Sequence, residues 1–349
     1  SKGKHVLVID IDKEPFMRGS YINQARLHNG YHYPRSFSTA TKSAKYFDRF
    51  LKDFSDCVNQ NFEQIYAIAK HYSWTNGTQF EKFCRNVGVR CEQIPIEKYF
   101  NKNTVEKVFV TREFTFDAIK IKERFLRKIR DNDVELAFNT RIKSVRKIGE
   151  EWNLILSNNH EICTPFVLNA SYAGTNQVHH LFNFEMIGIK YELCEVILCN
   201  VSDMVKNIGL TLMDGPFFSL MPFGMSGYHS ITTVSKTPHN TSLDMLPNFA
   251  CMKKRNDCSP EHTANCNHCS YHPYSAFKEM YQTAKKYINS DIKIEYVKSL
   301  FTLKPILKSS EIDDSRPTII RQLSEKPDFY TVFSGKINTM YDLDTILNQ

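Results

Sequence analysis

Asn23-Gln24-Ala25-Arg26-Leu27-His28-Asn29-Gly30-Tyr31-His32-Tyr33-Pro34-Arg35 is the densest polar and aromatic stretch of the sequence, holding two histidines, two arginines and two tyrosines. No helical or strand period explains these side chains as one buried face. Taken alone, the stretch is equally a loop of solvated residues or part of a site. Just upstream runs Lys4-His5-Val6-Leu7-Val8-Ile9-Asp10, a β-branched run that closes on a carboxylate. That pattern predicts a buried strand with an acid at its C-terminal end. No strand, glycine-rich turn or helix comes before it and position 1 is Ser. The sequence therefore reads as a fragment or as a chain shortened at its N-terminus.

Further along, Tyr46, Phe47, Phe50, Leu51, Phe54, Val58, Phe62, Ile65 and Tyr66 recur at helical spacing and predict one helix over 38–70, capped by Ser38 or Thr39. A strand-like 71–74, the turn Asn76-Gly77, a helix over 78–86 and an amphipathic helix over 116–130 follow. Strands are expected at 134–138, 141–148 and 152–157, the last two as a hairpin at Gly149, and again at 166–170. The alternation over 191–237 predicts an antiparallel sheet, before a helix at 274–288 and strands at 291–307 and 329–333. A closing helix is expected from Asn338.

The 349 residues suggest about two domains at roughly 150 residues each. With 42% hydrophobic residues the chain buries a core, which excludes a disordered protein. The net charge of +7 is scattered, with no basic run to support nucleic-acid binding. No segment approaches the roughly 18 apolar residues of a membrane span, and no signal-peptide core is present. Ten cysteines, four of them bunched, point to a reducing, cytoplasmic compartment.

In order along the chain, Asn23, His28, Gly30, Tyr31, Tyr33 and Pro34 resemble a segment of the D-amino-acid oxidase-like FAD-dependent oxidoreductases, in the branch near L-2-hydroxyglutarate dehydrogenase. The resemblance covers nearly the whole chain. Asp10 stands where that family binds the adenosine ribose, a diol that needs a paired acceptor. Thr140-Arg141-Ile142-Lys143-Ser144-Val145 resembles the strand whose backbone meets the adenine. Asn169-Ala170-Ser171 through Gly174 resembles the returning strand and turn beside the cofactor. Asp314-Ser315-Arg316-Pro317-Thr318 and Ser334-Gly335-Lys336-Ile337-Asn338 resemble the C-terminal segments that reach the flavin.

The resemblance implies an α/β fold: an FAD/NAD(P)-binding Rossmann-like domain from 1–37, 134–185 and 308–349, with an interleaved antiparallel-sheet substrate domain from 38–133 and 186–307. It implies cofactor contacts at Asp10, Asn23, Gln24, Ala25, Ile142, Ala170, Gly174, Arg316, Gly335, Lys336, Ile337 and Asn338. The implied reaction is hydride transfer from a CH–OH or CH–NH bond of a small substrate to FAD, with O2 or a quinone as electron acceptor. An amine or amino-acid oxidase is the enzymatic alternative, and a non-catalytic chain with a partner-binding insertion is the other. Two departures stand out. The Gly-x-Gly-x-x-Gly turn for the pyrophosphate is absent, so roughly thirty residues of a βα unit are missing. Ser-Gly-Lys also replaces the family's common Gly-His-Gly.

For the chemistry, Lys336 is either a cation beside the reduced flavin or a solvated loop lysine. Arg26 and Arg35 are candidates for a carboxylate clamp, because the guanidinium fork matches two oxygens. His28 is a candidate base for the substrate proton, or it orients the loop. Tyr31, Tyr33 and Phe217 are candidate substrate walls, and for Phe217 core packing competes. Finally, Cys251, Cys258, Cys266 and Cys269 form C-x6-C-x7-C-x2-C within an insertion over 251–272. They read as a structural zinc site, as reduced cysteines in an ordinary insertion, or as a redox pair. The other cysteines, Cys57, Cys84, Cys91, Cys163, Cys194 and Cys199, are expected to pack as core.

Overall fold

The computed structural model describes residues 3–310 and 315–347. Asp314 of the first C-terminal motif lies outside them. The core is organised by a nine-stranded mixed sheet. From one side it runs Pro238–Ser242, Ile189–Val201, His229–Thr233, Phe218–Pro222, Ile208–Met213, Glu63–Ala69, Val105–Thr111 and Cys91–Ile94, and Ile294–Leu307 pairs with the other edge of Ile189–Val201. The strand Glu63–Ala69 shows why both faces are dry. Ile65, Ala67 and Ala69 point to a cluster with Leu210, Leu212 and Leu220 that the helix Phe277–Lys285 covers through Met280 and Ala284. Tyr66 and Ile68 point the other way, against Phe80 and Phe83 of the helix Gly77–Val87 and against Tyr31, Tyr33 and Ala40. Strand alternation thus seats the 23–35 segment directly on the sheet.

A second layer is built on the helix Phe37–Asp53, whose Phe47 and Phe50 pack with Leu27, Val58, Phe116, Ile121 and Tyr341. The remaining strands form smaller sheets. Leu7–Ile9 runs parallel to Glu135–Ala137, and Phe166–Asn169 runs parallel to Asp328–Phe333. Ile142–Ile148, Glu151–Leu156 and Glu161–Thr164 form a meander, turning at Gly149 with φ +59°. Among the described residues no helix is long and apolar enough to cross a membrane.

Most of the expected elements are present, with instructive differences. The helix expected over 38–70 is Phe37–Asp53 only, and its N-cap is Ser36 with no side-chain cap bond. The rest of that span folds into the short strand Val58–Asn59 and the strand Glu63–Ala69. A strand buried on both faces has apolar residues at every spacing and so imitates a helix face. Residues 71–74 are not a strand: Tyr72 and Trp74 are exposed, and Tyr72 takes φ +63°. Within 191–237, Ile208–Met213 departs from the antiparallel pattern by pairing in parallel with Glu63–Ala69. Among the cysteines expected in the core, Cys163 is exposed and Cys91 only half-buried, whereas Cys57, Cys84, Cys194 and Cys199 are buried. The meander that holds Cys163 has one solvated face, and the cysteine falls on it. The closing segment is a 3-10 helix over Ile337–Leu343 before a short α-turn.

Candidate functional site

The loop after the first strand is shaped by its own side chains. Asn23 donates to the Gly19 carbonyl (2.9 Å) and accepts from the Ala25 N–H (2.6 Å), holding Ala25 at φ +55°. Arg26 then enters the protein on the two-residue strand Arg26–Leu27, paired with Phe114–Phe116. Gly30, at φ +102°, lies so close to the helix that a Cβ would stand 2.8 Å from the Ala40 carbonyl oxygen, so only glycine fits.

What Arg26 meets is the centre of the site. Its Nη1 lies 2.7 Å from Glu113 Oε2 and also bonds the Tyr66 hydroxyl, while Nη2 donates to Thr211 and Ser219. Glu113 is fully buried and accepts as well from Tyr66 and from the Asn29 N–H. Burial alone would raise its carboxyl, yet Arg26, His28 and Tyr66 together hold it well below the usual carboxylate range. His28 Nδ1 stands 3.5 Å from Glu113 Oε1, and its Nε2 is 3.5 Å from the Tyr33 hydroxyl. Burial lowers His28 to about 4, opposed by Glu113 and aided by Arg26 and Lys336, so the ring is neutral at pH 7. From the C-terminal segment, Lys336 is buried, donates to Ser43 (3.1 Å) and lies 4.0 Å over the Tyr33 ring. Asn338 donates to the His28 carbonyl (3.0 Å) and to the Ser43 carbonyl (3.1 Å), tying that segment to the loop and the helix.

Arg26, His28, Tyr33, Lys336 and Asn338 therefore meet in one place. Glu113 and Tyr66 were missed from the sequence. The available signal was an acid at Glu113 between the apolar runs Val105–Thr111 and Phe114–Phe116. The other expected residues stand elsewhere. Asp10 is half-buried, with Oδ1 accepting the Asp12 N–H (2.9 Å), and burial pushes its carboxyl up. Its carbonyl accepts from Thr140 N–H (3.0 Å), so the strand Ile142–Ile148 starts beside it. Gln24 is spent on Thr232, and Tyr31 is fully buried with its hydroxyl on the Arg90 carbonyl. Arg35 is ion-paired to Asp214 (3.0 Å). Phe217 packs on Tyr287 in the core on the far face of the sheet. Ala170 and Gly174 flank Tyr172, whose ring blocks any Cβ at Gly19, so the turn after Phe166–Asn169 packs on the loop that leads to Asn23. Arg316 sits beside Gly335 and acts electrostatically on His32. The four bunched cysteines lie away from this cluster, and among the described residues no group of three or more His, Cys, Asp or Glu has metal-holding geometry as it stands.

The buried imidazoles set an acid limit on stability. His28 and the buried His229 are both lowered to about 4 from 6.5, chiefly by burial. Between those values the unfolded chain binds more protons, so stability is full above pH 6.5 and is lost as pH falls toward 4. We expect a loss on the order of 3 kcal/mol per histidine across this window. Urea unfolding at stepped pH checks it, and His229→Gln should flatten the profile.

No family model and no curated protein matches the sequence. Solved structures do. Glycine oxidase from Geobacillus kaustophilus superposes with a TM-score of 0.63 at 10% identity, over 97% of this chain and 84% of that one. L-alpha-glycerophosphate oxidase from Mycoplasma pneumoniae, solved with FAD bound, gives 0.66 at 12% identity over 94% and 82%. L-amino acid deaminase from Proteus vulgaris gives 0.66 at 10% identity over 100% and 89%. The chain thus has the α/β fold of these oxidoreductases, a Rossmann-like domain joined to a large mixed sheet. At these identities it is the fold that is shared.

Proposed function

We propose that the chain is an FAD-dependent oxidoreductase acting on a CH–OH or CH–NH bond of a small, carboxylate-bearing molecule. The observation that carries the reading is the meeting of His28 with Lys336 and Asn338, the last 310 residues away in sequence. Lys336 follows closely on the strand Asp328–Phe333, which runs parallel to Phe166–Asn169, so the cluster lies just beyond the C-terminal end of a parallel strand, the usual ligand position in open α/β sheets. We keep the division into a discontinuous cofactor domain and an interleaved substrate domain as part of the proposal.

The residues present fit both ends of FAD. Asp10 offers a half-buried carboxylate to the ribose diol. Lys336 and Arg26 set two cations against the single carboxylate of Glu113, which suits an anionic ring system. For the pyrophosphate, the described residues offer no N–H-lined glycine turn. Leu7–Ile9 and Phe166–Asn169 each keep one edge without a ladder among the described residues, and Val8 and Phe166 on them are exposed.

When bound, FAD supplies the acceptance of a hydride from the substrate carbon. The substrate's hydroxyl or amine proton goes to a ring nitrogen of His28, which its lowered pKa keeps unprotonated and available at neutral pH. Glu113 then stabilises the imidazolium. Arg26 works through Glu113, because both its Nη atoms are engaged inside the protein. Arg35, more exposed than Arg26 though ion-paired to Asp214, remains the candidate for a carboxylate clamp. Electrons leave to O2 or a quinone. An amine or amino-acid oxidase uses the same groups on a CH–NH bond. Ten free cysteines support a reducing compartment.

The test is FAD titration followed by anaerobic bleaching with 2-hydroxy acids, glycine, L-proline, other amino acids and glycerol phosphate. Weak, readily reversible flavin binding and bleaching by one class are expected. Flavin that is neither bound nor bleached at saturation overturns the function, and tight stoichiometric FAD overturns the missing turn.

A further inference from the structure

The insertion that the proposed reaction leaves unused carries its own site. Cys251 sits on the 3-10 turn Ala250–Lys254, Cys258 precedes the bridge of Ser259 with His262, and Cys266 and Cys269 bracket the turn Cys266–His268. These are three separate backbone segments, yet all four cysteines line one cavity of about 20 Å³. That volume holds one water-sized sphere or one ion. Leu193, Phe249 and Leu303 close the cavity on the side of the main sheet.

Backbone N–H groups already point at two of the sulfurs. The Ala264 N–H donates to Cys258 Sγ at 3.3 Å, and the Tyr271 N–H, two residues on, donates to Cys269 Sγ at 3.4 Å. Such donors orient a sulfur and would support it as a metal ligand. Arg255 also lines this cavity, and its guanidinium is paired to Asp257 while bearing on Cys269. None of the four is in a disulfide.

We propose that Cys251, Cys258, Cys266 and Cys269 bind one Zn2+ in this cavity as a closed tetrathiolate site. Zinc takes such a set tetrahedrally at about 2.3 Å per bond, so binding draws the four sulfurs inward from their present spacing. No ligand position is left open, and the role is structural. The site also has a place to act. Asn265, between Cys258 and Cys266, donates to Asp12 Oδ2 (3.3 Å) and to the Met17 carbonyl (3.2 Å), and the Thr263 carbonyl accepts from Arg18 (3.1 Å). Zinc therefore pins the segment that follows Asp10. The proposal does not depend on the flavin reading.

The experiment uses the full chain, reduced and stripped with a chelator. Titration with Co2+ should produce the intense thiolate-to-cobalt absorption of a four-sulfur site, saturating at one equivalent, and Zn2+ should displace it stoichiometrically. Metal analysis of protein purified without chelator should find zinc at the same ratio. Cys258→Ser and Cys269→Ser should each weaken binding by at least about tenfold, while Cys163→Ser, at an exposed cysteine outside the cluster, should leave the titration unchanged. Absence of the cobalt absorption in the unaltered chain overturns the proposal, as does a disulfide between any two of the four. Iron in the purified protein in place of zinc overturns the metal assignment. Because the deciding titration uses the unaltered protein, variants that fail to fold do not blunt it.

Discussion

Glu113→Ala is expected to lower the stability of the fold by about 3–5 kcal/mol, the range for breaking a buried ion pair from one side. The Arg26 guanidinium is 1% exposed and Glu113 is 0% exposed, so water cannot replace the lost carboxylate. The substitution strands a buried cation and removes the acceptor used by Tyr66 and by the Asn29 N–H. Glu113→Gln keeps one acceptor oxygen and should cost less, though the uncompensated Arg26 remains. Replacing Arg26 and Glu113 together by apolar residues should cost less than either single change, since the pair's mutual attraction largely offsets its desolvation. Urea unfolding measures all of these, with an unchanged denaturant slope as the sign that the two end states are intact. A loss under about 1 kcal/mol for Glu113→Ala would mean that water enters the cluster, and the electrostatic account of His28 would fall with it.

The second large effect concerns rate. In flavin-loaded protein, with whichever substrate class bleaches it, His28→Ala should slow flavin reduction by about 10²–10⁴-fold, the usual contribution of a positioned base. Substrate binding should change little, because the imidazole is asked only to hold a proton. With its pKa near 4, His28 keeps the wild-type reduction rate flat through neutrality and lets it fall only in acid, and the variant should lose that acid limb. Lys336→Met should act differently. It removes a cation buried over Tyr33 and should make the flavin harder to reduce with every substrate. Stopped-flow reduction across pH, with a redox titration of each variant, separates the two. An equal, modest drop in both variants with no change in pH profile or potential would make them packing residues of the loop.

Much of the candidate cluster's membership could be read from the chain. His28, Tyr33, Lys336 and Asn338 were marked by residue type and order, and the structure brings them together. Arg26 was marked as well, although the fork expected to face a substrate is turned inward to Glu113. Glu113 itself is a lone acid after an apolar strand. Nothing local distinguishes it from a surface charge, because its burial comes from the Arg26–Asn29 segment and Tyr66 closing around it.

Sequence alone determined whatever depends on neighbours along the chain. Asn76 and Gln79 cap the helix Gly77–Val87 reciprocally, Asp117 caps Ala118–Arg130, and Gly149 turns the hairpin, each by bonds or angles within a few residues. Only the tertiary structure decided which apolar run was a buried strand, which arginine was consumed by a carboxylate, and whether four cysteines in three segments shared one cavity. Those outcomes rest on contacts between segments far apart in sequence. A run such as Glu63–Ala69 meets the needs of a helix face and of a two-faced strand equally well until Ile208–Met213 and Val105–Thr111 take its backbone hydrogen bonds.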